Sequence, residues 1–267
     1  MRLRPIAGIL LRQFYLFRGS PVRLLPMFAW VAIDIVVWGF LTRYLNTVSG
    51  SGVNFVPSLL GAVLFWDFFT RIMQGVTTAF FEDVWSRNFL NLFATPLSIA
   101  EYVTGLVLTS VITSMAALVV MLALATLVFG LSFASLGLML LPFVLVLFLF
   151  GIALGIVASA LVLRLGPASE WLVWPMPALL SPFVGVYYPL ATLPAWMRGV
   201  GHLLPPSYVF EGMRALVRGE AFSASSLLLG AGLALAQVLL AAYFFARVFR
   251  YTVSSGLLAR YSAESVS

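Results

Sequence analysis

The chain has no cysteine and no lysine. Without cysteine it can form no disulfide and no thiolate metal site. Without lysine it cannot build a Walker A loop, whose lysine reaches the β- and γ-phosphates of a nucleotide. The chain is therefore not expected to hydrolyse ATP itself. All 15 basic residues are arginine, and the one histidine, His202, lies between Gly201 and Leu203 with no acid or nucleophile beside it. A single histidine cannot supply the clustered ligands of a metal site or the base of an activated nucleophile. No metal, no bound cofactor and no catalytic residue is expected on this chain. Charge of either sign is scarce, at 9% of residues.

What fills the chain instead is apolar. Of its 267 residues, 62% are hydrophobic and 15% aromatic, and the mean hydropathy is +1.07. Spanning a membrane takes about 20 predominantly apolar residues, and several runs here reach that length. They do not alternate as the strands of a barrel would. The expectation is an all-α polytopic membrane protein with six transmembrane helices, at about 24–44, 57–80, 99–128, 138–163, 171–189 and 226–247. Residues 1–20 read as an amphipathic interface helix. Leu3, Ile6, Leu10, Phe14 and Phe17 recur at three- and four-residue steps, with Arg4, Arg12 and Arg18 on another face. Arg12 interrupts the apolar run and no small-x-small cleavage pattern follows, unlike a signal peptide.

Arginine placement orients the spans. Arg2, Arg4, Arg12, Arg18 and Arg23 precede the first span, and Arg247, Arg250 and Arg260 follow the last. Arg87 and Arg164 mark the two even-numbered turns. The positive-inside rule then puts both termini and those turns in the cytoplasm. The net charge of +6 is read as topology, not as a nucleic-acid signal. The six-span domain covers 21–250, with a first cytoplasmic loop at 81–98 and a cytoplasmic tail at 251–267.

Three stretches depart from plain spans. Asp34, Asp67 and Arg71 are charges inside spans, which normally face protein or water; Asp67 and Arg71 stand at i,i+4. They read either as a structural ion pair or as the polar lining of a path, with Phe65 and Phe69 nearby. The fifth span carries Pro175, Pro177 and Pro182, each able to break a helix, and ends at Tyr187-Tyr188. The outer segment 190–222 is cut by Pro194, Pro205 and Pro206 and is too apolar for a free loop. It reads as a re-entrant pair of short helices, with Ser207 as a helix N-cap, Gly219 as a stop, and Glu211 and Arg214 paired at i,i+3. Gly151, Gly155 and Ser159 form a small-residue ridge for close helix packing.

The motifs in chain order resemble the membrane subunit of a type-2 ABC exporter, close to the drug and lipo-oligosaccharide or polysaccharide export permeases. They are the amphipathic start, LFWDFFTRIMQGVTTAFFEDVWSRNFLNLFATPLS, SIAEYVTG, and YYPLATLPAWMRGVGHLLPPSYVFEGMRALVRGE. The resemblance implies a permease of the bacterial cytoplasmic (inner) membrane that moves an amphipathic or lipid-linked substrate outward. It implies a homodimer in contact with membrane lipid, and two separate ABC ATPase subunits that bind ATP and Mg. It implies contact with the ATPase through Arg12 and Glu82, Asp83, Val84, Trp85, Ser86, Arg87 and Asn88. It also implies a path along Asp34, Asp67, Arg71, Phe65 and Phe69, and an outer gate of Tyr187, Tyr188, Trp196, Glu211 and Arg214. The alternative is an ion-coupled carrier or passive channel that uses Asp34, Asp67 and Arg71 as its ion site.

Overall fold

In the computed structural model, residues 2–19, 25–49, 59–86, 91, 92, 94–130 and 140–257 are described. Every regular element among them is helical. In chain order these are α1 (Leu3–Gly19), α2 (Leu25–Ser49), α3 (Gly61–Trp85), α4 (Ile99–Phe129) and α5 (Leu141–Leu165). After a 3₁₀ helix (Pro167–Leu172) come α6 (Met176–Val184), a 3₁₀ turn (Leu190–Thr192), α7 (Ala195–His202), α8 (Pro205–Val217) and α9 (Ala224–Ser254). Three helices, α4, α5 and α9, are long and apolar enough to cross a membrane. α2 and α3 have 25 residues each, about 37 Å at ~1.5 Å per residue, which is also a spanning length. α3 carries four charged residues over that length.

The expected fifth span is not one helix. Its residues form the 3₁₀ helix, a turn at 173–175 and the nine-residue α6. The prolines explain the break. Pro182 lies inside α6 and has no N–H to offer the carbonyl four residues back. The hydroxyl of Ser181 donates to that carbonyl, Ala178 O, instead (2.9 Å). Gly185 then ends the helix in the left-handed region, at φ +67°. A side chain there would be strained and would also meet Tyr188 O.

α3 is the centre of the bundle. One face is filled by Phe68, Phe69, Ile72, Met73, Val76 and Phe80, all fully buried. This face packs on α5 at the expected glycine ridge. A β-carbon at Gly151 would lie 2.9 Å from Ile72, and one at Gly155 would lie 2.9 Å from the Met73 carbonyl. The helices meet nearly backbone to backbone, which suits a membrane, where apolar transfer gives no drive for helices to associate. On its other side α3 meets α4, where the Ser110 hydroxyl donates to Ile72 O (2.7 Å) opposite Gly75. α9 packs along α5, and its Phe245 also meets Phe80 of α3 edge to face. α2 joins the bundle near the end of α4. There the Phe129 ring lies over Gly39, and Arg43 donates to the Val128 carbonyl (3.0 Å). A cation at that helix end also suits the α4 dipole.

α4 begins with a full capping box. Ser98 Oγ accepts from Glu101 N (3.2 Å), and Glu101 Oε2 accepts from Ser98 N (3.1 Å). α8 starts two residues earlier than expected, with Pro205 and Pro206 in its first turn. Proline fits there because first-turn N–H groups have no helical partner. Ser207 is thus inside the helix, and its hydroxyl donates to Gly201 O (2.6 Å), not to a cap. Gly219 follows the helix at φ +74°.

Candidate functional site

The polar residues of α3 form one stripe. Asp67, Arg71, Gln74, Thr78 and Glu82 recur at steps of four, three, four and four, which keeps them on one side of a helix. The stripe runs for about 22 Å along the axis at ~1.5 Å per residue. It faces a cavity of about 610 Å³, within the range of a small-molecule site. Trp30 and Asp34 of α2, Thr109 and Thr113 of α4, Trp174, and Gln13 and Phe17 of α1 complete the walls.

Arg71 bonds Asp67 through Nε (3.2 Å) and a terminal nitrogen (3.1 Å). Both are substantially buried, so the i,i+4 pair exists and lines the cavity at the same time. The two alternatives left open by the sequence are therefore compatible. Asp34 lines the same space. Phe65 and Phe69 do not. Both are buried on the opposite side, and Phe69 stacks on Phe150 of α5 with centroids 5.3 Å apart.

At the Glu82 end of the stripe, α1 is clamped to α3 and α4 at two points. Near its start, Arg2 holds Glu101 through its backbone N–H (2.9 Å) and its guanidinium (3.1 Å), and also donates to Pro96 O. At its middle, Arg12 pairs with Asp83, whose other oxygen accepts from the Tyr102 hydroxyl (2.8 Å). Asp83 and Tyr102 are fully buried. Between the two points, Ile9 packs against Gly105. The buried face of α1 is Ile6, Ile9 and Gln13, while Leu3, Leu11, Phe14 and Tyr15 stay exposed beside Arg4 and Arg18. The apolar half of the helix thus splits between protein and surroundings, and the second half carries the apolar-plus-arginine character of an interfacial helix.

This divides the residues expected to face a partner. Asp83 and Val84 are buried and hold α1 and the core. Glu82 borders the cavity. Trp85 and Ser86 are exposed, and the Trp85 indole donates to Glu170 Oε2 (2.8 Å) in the 3₁₀ helix that follows α5. Arg87 and Asn88 lie outside the described residues. Sequence reasoning passed over Arg2, Tyr102, Gln13, Trp174 and Glu170. The S-x-x-E capping box at Ser98–Glu101 was the one local signal that marked this corner.

The segment from α6 to α8 is pinned from within. Glu211 Oε1 accepts from Leu190 N (2.7 Å) and from Arg214 (2.9 Å), and Arg214 also donates to Gly185 O (2.7 Å). The expected i,i+3 pair thus ties α8 to the end of α6. The Tyr188 hydroxyl donates to Pro182 O (2.8 Å). Tyr187 stacks on Trp38 of α2, with centroids 5.3 Å apart and planes at 11°. Trp196 is exposed and meets Phe183 edge to face.

A helical chain with a polar cavity among apolar helices, an amphipathic helix clamped beside it and a folded-back α6–α8 segment invites comparison with transport proteins. The profile of the ABC-2 type transporter family matches residues 7–217, from α1 to the end of α8. The chain belongs to the ABC-2 type transporter family. It is accordingly a membrane transport component of multi-pass type, a permease of a family that is generally non-catalytic. A comparison with curated proteins finds no match. The matched region of this ABC-2 member includes the Arg12–Asp83 clamp point, the cavity and the α6–α8 hairpin.

Proposed function

We propose that the chain is the permease subunit of an ATP-driven exporter that carries an amphipathic or lipid-linked substrate out of the cytoplasm. In this reading it works as a homodimer with six spans per copy in a bacterial cytoplasmic membrane, with both termini in the cytoplasm. Two copies of an ABC ATPase supply ATP, Mg and hydrolysis. α2 and α3 count as the first two spans, and the broken 167–184 stretch as the fifth.

The observation that carries the reading is the shared corner of clamp and cavity. Gln13 and Phe17 of α1 and Glu82 of α3 line the cavity, and Arg12 and Asp83, their helix neighbours, fasten the two helices together. A partner that pushes on α1 or on Trp85–Ser86 would move the cavity wall directly. The Trp85–Glu170 hydrogen bond would pass the same motion to the fifth span. Movement there would reach the outer hairpin through α6 and the Glu211–Arg214 pin.

A second reading, an ion-coupled carrier with Asp34, Asp67 and Arg71 as its ion site, draws support from their common position at the cavity. Reconstitution separates the two. The exporter reading expects substrate movement in liposomes only with the ATPase and ATP present, whereas a carrier would work alone on an ion gradient.

A further inference from the structure

We propose that the α1–α4 cavity is a binding site for a lipophilic cation: a positively charged head with an apolar body. The inference rests on the permease reading and gives the substrate class for its cavity. Among the described residues, Arg71 is the only cation that lines the cavity, and it is bonded to Asp67. Asp34 reaches the same space; Arg71 acts on it only at a distance, and that arginine is already bonded to Asp67. The lining thus sets three carboxylates, Asp34, Asp67 and Glu82, against one guanidinium, which favours a ligand that brings positive charge.

Two more features fit that ligand. Trp30 and Trp174 flank the cavity, and indole faces attract cations as well as apolar surface. Gln13 is 3% exposed, lines the cavity, and its side-chain Nε2 is unpartnered. Buried amides are ordinarily paired, so this one marks a place where a ligand or its hydration water completes the hydrogen bonding. A cavity of about 610 Å³ accommodates the head and proximal body of such a molecule. The charge could be that of a free amphiphile or of a phosphatidylethanolamine headgroup. Both present a cation on an apolar body.

The test is binding of rhodamine 6G, a fluorescent lipophilic cation, to the full chain in dodecyl maltoside, read by fluorescence polarisation. Fluorescein serves as the anionic counterpart. The site predicts saturable binding of rhodamine 6G and none of fluorescein. Asp34→Asn should weaken binding about tenfold, as expected for loss of a desolvated charge contact, and Asp34→Glu should restore most of it. Competition by phosphatidylethanolamine but not by phosphatidylglycerol identifies the headgroup as the source. Competition by neither identifies the free amphiphile. Equal binding of both dyes, or an Asp34→Asn variant that elutes as the wild type and binds rhodamine 6G unchanged, overturns the proposal. The dye comparison on the wild type stands even if the variants do not fold. Neither measurement involves the ATPase. A failed dye test beside an associated ATPase rejects the cation site alone, and dye binding without an ATPase partner rejects the exporter reading alone.

Discussion

The hydroxyl of Tyr102 donates a 2.8 Å hydrogen bond to the carboxylate of Asp83, and the other oxygen of that carboxylate pairs with Arg12. Three helices meet at this one buried acid: α1 through Arg12, α3 through Asp83 and α4 through Tyr102. Removing one partner of a buried ion pair strands the other, at about 3–5 kcal/mol.

Asp83→Asn is therefore expected to loosen α1 while leaving the bundle inserted. The chain has no cysteine, so a single Ile9→Cys reports on the seat of α1. Ile9 is 5% exposed and should react slowly with a water-soluble maleimide. Adding Asp83→Asn should speed labelling at least about tenfold, the factor that ~1.4 kcal/mol of lost docking would give. Unchanged labelling would show that the buried triad does not hold α1.

The glycines separate close packing from open space. A side chain at Gly155 would run into Val76 and the Met73 carbonyl, whereas nothing lies within 4 Å of a β-carbon at Gly8. Gly155→Leu should abolish monodisperse purification, because the clash is with backbone that cannot swing aside. Gly8→Ala should purify normally and raise thermal stability slightly, by up to about 1 kcal/mol of helix propensity. Size-exclusion profiles and melting curves of both variants check this.

Glu211 accepts from both Leu190 N and Arg214. Glu211→Ala frees the Leu190 amide and leaves Arg214 with only its bond to Gly185 O. Losing such a pair of contacts is expected to weaken the α6–α8 hairpin by about 1–2 kcal/mol. Amide hydrogen exchange should accelerate across 185–204 and stay unchanged in α5 and α9. Uniform acceleration throughout the chain would instead mean that the pin supports the whole bundle.

Local spacing made the i,i+4 and i,i+3 pairs legible in the sequence, because Asp67–Arg71 and Glu211–Arg214 depend only on helix geometry. The Gly151–Gly155–Ser159 ridge was legible for the same reason. Which neighbour turns inward was not. Glu82 and Asp83 are adjacent and chemically alike, and only the docking of α1 decides that Asp83 is buried while Glu82 borders the cavity. Phe65 and Phe69 show a related difficulty. α3 is apolar on several sides, so aromatic residues carry no phase, and the phase came from the polar stripe instead. The prolines at 175, 177 and 182 signalled a broken fifth span, but not the 3₁₀ helix and short α6 that replace it. At α8, the tolerance of a first turn for proline moved the start ahead of Ser207.

The central claim is that an ATPase works this permease through the corner where α1 meets α3. Its most direct test is purification of the tagged chain from its native membranes in mild detergent, followed by an ATP hydrolysis assay on what co-purifies. The account predicts a tightly associated ABC ATPase whose substrate-stimulated hydrolysis falls severalfold when Asp83→Asn loosens α1. A chain that purifies without any ATPase, and in liposomes moves substrate on an ion gradient alone, would contradict it.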